Sequence, residues 1–528
     1  MNDTLKKLFS LYSVKNAKKI SKVRLFLEWV LLGIVILCIF YALVLEAPWK
    51  VKGVLLIFLL ACTILPYKYR KWFWLGTGLV ILYLTVWVLL PDDRNWEPCK
   101  YNYTAKIASM NEKRLVPEKE NAAVIFTSII KDYPLEELVP HHIKPETYIT
   151  TQSRPWESEA YPAIAQWLSQ KEDVINRYIK GASKSECYYP ILEEDIEANR
   201  FVYKRKHLPR LHMMSSILLS SAANDLAEGR TEDGLLKQTS VLRVSEQLFR
   251  QAVIHDMMAG IEMQNSALNQ IQVYTVLYGA DDYYLEKMEQ SLSTIEHGWQ
   301  EGWERISEYE QLDKINFFCE QFYEQNPQGH VRIRILNHIL PATIIRNQQL
   351  PYWPKRVAKV QNILFRLFLP SRPEGLYDSI QSSLADYAFM EDYYTGPRER
   401  RQIPPYEQFK MNFSCYVKWY MNSLVFNIFE YYMRHKIEVQ AGRILIGLRR
   451  YQNKHGYWPS SLSDIKSLTD TGVFIDIVNG EELVYKRTGD TFVLYSKGFN
   501  GIDDKGKHWE SDFNSRNSDD WLIWPPRQ

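Results

Sequence analysis

Cysteine is scarce, six in 528 residues, and no two stand as CxxC or in a Cys/His cluster, so nothing points to zinc. Charge of one sign is equally lacking. Lys and Arg number 64 against 62 Asp and Glu, a formal net charge of +2, which leaves no basic excess to neutralise phosphates and argues against a nucleic-acid partner. Catalytic signatures are missing too: there is no HExxH, no GxSxG, no Walker loop and no Gly-rich dinucleotide turn. Disorder is excluded by what is abundant, since aromatic residues make up 14% of the chain, with 16 Trp and 34 Tyr.

Long apolar runs are present, and they lie at the front. Residues 25–45, 51–67 and 72–90 form three such runs, with Glu28 and Lys52 confined to first turns and Trp29, Trp49, Trp72 and Trp74 near the ends. At ~1.5 Å per residue, runs of ~17–21 residues reach about 25–31 Å, enough for a bilayer core. Soluble helices of that length normally show a polar face. The expectation is therefore a three-helix membrane anchor at 25–91, with the lipid bilayer as a partner. Lys6, Lys7, Lys15, Lys18, Lys19, Lys22 and Arg24 precede it, and Lys68, Arg70 and Lys71 fill the second break. The positive-inside rule then makes 1–24 a basic cytoplasmic N-terminus. It places the C-terminal bulk outside, in a multi-pass protein of the cytoplasmic (inner) membrane. On that topology Cys99, Cys187, Cys319 and Cys415 face outward, either as disulfides in one of three connectivities or as separate buried thiols.

Past a polar linker at 92–117, residues 118–433 read as an irregular α-helical domain. Helices are expected at 161–179 and 208–227, then from Thr231 as an N-cap through Phe249 and onward to Leu277. Further ones fall at 282–309, 312–325, 379–394 and 406–433. The pair joined at Glu228-Gly229-Arg230 resembles one tetratricopeptide-like unit, but no second copy recurs at a fixed period, so a repeat array is not expected. The histidines give no constellation. His141 and His142 are adjacent and point apart on a loop surface, while His207, His212 and His255 read as surface or satisfied core groups. Glu193, Glu194 and Asp195 suit a helix start. Ser215, Ser216, Ser220 and Ser221 suit close helix packing.

The pattern changes near Arg434. Residues 435–454 form one amphipathic helix that stops at His455-Gly456, followed by a short helical piece at 459–468. Two strand-like runs, 483–487 and 491–496, are joined through Gly489 as a hairpin. The end is loop-rich and acidic, with Asn500-Gly501, Asp503-Asp504 and Asp519-Asp520-Trp521. The ordered set His455-Gly456-Tyr457-Trp458-Pro459, Ser461-Leu462, Gly480, Leu483, Tyr485, Leu494-Tyr495-Ser496, Gly498, Asn500-Gly501 and Asp503-Asp504 resembles the globular domain of type II secretion major pseudopilins. That module is also found fused to bacterial membrane-anchored helical proteins, whose helical region Asn121-Ala122-Ala123 and 226–230 are similar to. The resemblance covers about 90 residues, 434–528, and implies a small α+β module. It departs at the front, where no pilin leader or single apolar stem exists, and at Asp476-Ile477, where the family has Asp-Pro.

What the resemblance implies for chemistry is calcium. Asp503, Asp519 and Asp520 would be the carboxylate ligands, with backbone carbonyls near Ser496 and Phe499 as further donors. A solvated acidic surface loop is the other reading of the same residues. The fold expected is mainly α: three transmembrane helices, an irregular α-helical extracytoplasmic domain and a C-terminal pseudopilin-like α+β module. The function expected is a non-enzymatic scaffold or binding protein with a protein partner, tied to secretion or the envelope. An envelope hydrolase, with a site built from scattered residues of the helical domain, is the alternative. A deep pocket lined by converging His and carboxylates in the helical domain would favour the hydrolase, and an exposed apolar patch or concave groove would favour binding.

Overall fold

Helix ends in the central region follow from local capping chemistry. The computed structural model describes residues 97–192, 205–295, 298–325, 331–333, 380–381, 384, 386–390, 413–506 and 520–526. The chain divides into two compact units, one of 1–99 with 319–375 and the other of 100–318 with 376–528. In the first, β1 (Glu97–Pro98), β2 (Tyr323–Gln325) and β3 (Val331–Ile333) form an antiparallel sheet in that order, with Glu97 opposite Gln325 and Tyr323 opposite Ile333.

The second unit is helical up to its C-terminal sheet. It begins with α1 (Thr104–Glu112), α2 (Ala122–Asp132), α3 (Leu135–Leu138), α4 (Pro145–Ser153), α5 (Pro162–Ser169) and α6 (Glu172–Ala182). Asn121 caps α2 by accepting from the Ala123 N–H at 3.0 Å. The same side chain accepts from the Tyr188 N–H at 2.8 Å and donates to the Tyr188 carbonyl at 3.1 Å, tying the helix start to a distant stretch of chain. The single helix expected at 161–179 is broken at Gln170-Lys171. The N–H groups of both residues turn back to the carbonyls of Trp167 and Leu168, and acidic Glu172 and Asp173 then suit a new helix start.

The core is the layer α7 (Leu208–Ala227), α8 (Thr231–Phe249) and α9 (Ile254–Leu277). The expected span 208–227 is the observed one. Gly229, at φ +76°, ends α7, with the Arg230 N–H on the Asp225 carbonyl and the Gly229 N–H on that of Leu226, the paired bonds of a Schellman motif. Thr231 is the first residue of α8, and its N-cap is Arg230. Gly260 has a packing reason: a Cβ there would lie 2.7 Å from the Ser245 carbonyl, so α8 and α9 cross too closely for any side chain. Leu211, Met214, Leu218, Val241, Val244, Leu248, Leu268 and Ile271 fill the layer, each worth about 1.5–3 kcal/mol of burial. Gln238 donates to Gln270 at 2.9 Å and accepts from the Tyr284 hydroxyl at 2.8 Å, so these three side chains bond to one another.

Beyond it lie α10 (Asp282–Ser293) and α11 (Trp299–Phe322), where 282–309 and 312–325 were expected as separate helices. The first instead ends at Ser293, and the second starts at Trp299. Trp299 and Trp303 are buried, and their indole N–H groups donate to the Tyr387 and Leu384 carbonyls at 2.7 and 2.8 Å. The change of pattern at Arg434 falls inside one helix, α12 (Phe413–His455), of 43 residues. No proline or glycine interrupts 413–441, so the backbone continues while its packing partners change. The later part of α12 docks on α9 and α10. Arg449 donates to the Thr275 carbonyl at 2.6 Å and to the Val276 carbonyl, and its guanidinium lies 4.9 Å from the Trp458 ring centre. Asn453 donates to the Ala280 carbonyl at 3.0 Å, and Arg450 pairs with Glu289.

After α12 come two 3-10 turns, Leu462–Ile465 and Thr471–Phe474, and the sheet β4 (Val484–Thr488), β5 (Thr491–Ser496), β6 (Trp521–Trp524), all antiparallel in that order. The hairpin is the expected one: Thr488 faces Thr491 across Gly489-Asp490, with Gly489 at φ +61°. β6 was expected as loop. Its run Trp521-Leu522-Ile523-Trp524 is short and flanked by Asp520 and Pro525, but β5 offers it an edge. The turn at Asp476 is set by the buried carboxylate itself, which accepts from the Val478 N–H at 2.8 Å, Asn479 Nδ2 at 2.7 Å and the Ser496 hydroxyl at 2.6 Å.

The expected membrane architecture needs correction. Among the described residues no helix is long and apolar enough to cross a membrane. Even α12, with its 43 residues, carries Arg434, Lys436, Glu438, Arg443, Arg449 and Arg450. The three runs 25–45, 51–67 and 72–90 lie outside the described residues. The fold is thus mainly helical with small antiparallel sheets. The described residues include none of the three expected transmembrane helices, and they do not support the multi-pass placement in the cytoplasmic membrane with the bulk outside.

Candidate functional site

Two clusters gather ionisable side chains. The first is the acidic loop after β5, which turns through Gly498, Gly501, Lys505 and Gly506, all at positive φ. Asp503 Oδ1 accepts from the Tyr495 hydroxyl at 2.6 Å and from the Lys505 N–H at 2.9 Å, and Oδ2 accepts from Lys486 Nζ at 3.2 Å. Those contacts, the Tyr495 hydroxyl first, hold its carboxyl down at about 2. Asp520 is buried just before β6 and accepts the Gly506 N–H at 2.7 Å on Oδ2. Burial pushes its carboxyl up, and the nearby charges of Asp503 and Asp504 add to that.

Asp519 lies outside the described residues, so the structure brings together two of the three expected ligands, Asp503 and Asp520, around the 503–506 turn. Calcium takes six to eight oxygens, and carboxylates that hold it must face it with lone pairs free. Asp503 presents both of its oxygens to donors of its own chain, one of them an ammonium. Among the described residues no three His, Cys, Asp or Glu side chains converge as a metal group. The described residues thus bring Asp503 and Asp520 together, and 507–519, with Asp519, lie outside them.

The second cluster lies in the helical layer. Asp256, in the first turn of α9, is fully buried. Arg205 grips it with Nη2 at 2.9 Å from Oδ2 and Nε at 3.3 Å from Oδ1, and also donates through Nη1 to the Pro190 carbonyl at 3.1 Å. His207 Nε2 stands 3.1 Å from Asp256 Oδ1, and the Tyr189 ring stacks on the imidazole at 3.7 Å between centres and 5° between planes. Burial raises the Asp256 carboxyl, but the Arg205 charge and the His207 contact outweigh it and hold the group below its ordinary value. Burial pushes the Cys187 thiol and the Tyr189 hydroxyl up, with the Asp256 charge adding to both. The Asp256 carboxylate orients the imidazole, while Arg205 engages both carboxylate oxygens.

His207 thus stands at the edge of the buried Asp256 cluster. Asp256 escaped the sequence reading because an acidic residue at a helix start is ordinary, and nothing local ties it to an arginine 51 positions earlier. His141 and His142 are exposed on a turn. Glu193, Glu194 and Asp195 lie outside the described residues. Ser215 bonds the Tyr178 hydroxyl at 2.7 Å and Ser220 donates to Thr151 at 3.1 Å, both in helix packing. Cys99, Cys187 and Cys319 are buried, and the Cys415 side chain lies outside what is described. No protein-family model, curated protein or solved structure matches the chain.

Proposed function

We propose that the chain is a non-enzymatic scaffold or binding protein for a protein partner. One observation carries this: the buried carboxylates are consumed by internal contacts, Asp256 by Arg205 and His207 and Asp225 by Arg230 and Lys237, while apolar side chains stand in solvent. Leu277, Tyr278 and Tyr457, where α9 and α12 end, are 58%, 48% and 49% exposed. Single exposed apolar side chains are ordinary on a protein surface, so these three supply the positions at which a partner contact is tested. The pseudopilin-like order of the module supports a part in secretion.

A second reading, a hydrolase, is favoured by the His207–Asp256 contact, because a carboxylate behind an imidazole is how a ring is held for proton transfer. The two separate in a deletion strain complemented with folded variants. The scaffold reading expects His207→Gln to complement as well as the unaltered chain, and Tyr278→Glu combined with Tyr457→Glu to fail. The opposite pair of results overturns it in favour of the hydrolase.

A further inference from the structure

The charges of Asp503 and Asp504 bear on Asp520, and gathered like charges need a counter-charge to stay together. The sheet provides one. Lys486 of β4 faces Val493 of β5, and Tyr495 is two residues further along, so Lys486 and Tyr495 are diagonal neighbours on one face. The lysine Nζ lies 5.2 Å from the Tyr495 ring centre and donates to its hydroxyl at 2.6 Å. That hydroxyl donates to Asp503 Oδ1 at 2.6 Å, and the same ammonium donates to Oδ2 at 3.2 Å. Three contacts close a triangle of lysine, tyrosine and aspartate. Its fourth tie is the Lys505 N–H, 2.9 Å from Oδ1, presented by a residue held at φ +64°.

We propose that the Lys486 ammonium is the built-in cation of this acidic loop, holding the 503–506 turn onto the sheet through Asp503 and Tyr495 without calcium. A divalent ion on Asp503 would sit a few ångströms from that ammonium, and two cations at such a distance repel. The lysine therefore both orders the loop and competes with a metal for it.

Amide hydrogen exchange of the full chain tests this at Lys505, with the β5 amides as internal reference. In the unaltered chain, exchange at Lys505 is expected to be equal in excess calcium chloride and in excess chelator. Lys486→Met is expected to speed it by about two- to fivefold, the range of an exposed ion pair, and Lys486→Arg to restore protection. Should the β5 amides also accelerate in Lys486→Met, the same comparison is read in Tyr495→Phe, which keeps the ring and removes the relaying hydroxyl. Faster exchange on chelation in the unaltered chain overturns the proposal, as does unchanged exchange at Lys505 in the variant that is read.

Discussion

The helical layer and the terminal sheet handle charge in opposite ways. In the layer, Arg205 and Asp256 are 4% and 0% exposed and meet in a two-pronged contact. In the sheet, Lys486 and Asp503 are 50% and 39% exposed and meet through one hydrogen bond with a tyrosine relay. Removing two charges from water is costly, and the cost is recovered only while both partners are present. An exposed pair is solvated whether or not it forms. The difference teaches that a buried pair fixes which parts of the chain come together, whereas an exposed one trims the local order of a loop.

The sharpest way to break that contrast is Asp256→Ala. It leaves the Arg205 guanidinium buried and unpaired, and a loss of about 3–5 kcal/mol is expected in chemical denaturation. The same pair carries a pH signature. Asp256 is held below its ordinary value of 3.8, so its contribution is fully present above that value and is lost as pH falls through the lower folded value. Stability of the unaltered chain should drop over that acid window, and Asp256→Asn should lack this component of the slope.

Next in size is Arg449→Met, which uncaps the Thr275 and Val276 carbonyls at the end of α9. About 2–3 kcal/mol is expected, because hydrogen bonds from a charged donor are the strong ones and helix-end carbonyls need partners. Exchange of the α9 and α12 amides should report the loss on both helices. Asp476→Ala should cost about 1–3 kcal/mol. It strands the Ser496 hydroxyl, the Asn479 amide and the Val478 N–H, but no buried cation, so it should fall below Asp256→Ala. A larger loss there than at Asp256 would break the contrast. At the bottom stands Lys486→Met, expected to change global stability by about 1 kcal/mol or less while loosening its loop.

Legibility follows the same line. The span of α7 could be read from its sequence, since Pro209 and Gly229 bracket an apolar repeat with local meaning. The hairpin could be read too, because Gly489 separates two runs of β-forming residues. The unity of α12 could not, since a changing apolar pattern resembles a boundary when only the packing partner changes. β6 was hidden because four residues become a strand only when an edge waits for them. Of the expected loop ligands, Asp503 turned out to face a lysine 17 residues earlier. Asp256 faces an arginine 51 residues away, and Arg449 reaches a carbonyl 173 residues away.

By itself the sequence determined the span of α7, where the hairpin turns and which residues avoid water. Those depend on dihedral preferences and hydrogen bonds between near neighbours, and on the side chain's own affinity for water. Only the tertiary structure decided which charges pair, that α12 is docked on α9, and that the acidic loop leans on Lys486. Those depend on groups far apart in the chain meeting at hydrogen-bond distance, which no local pattern encodes.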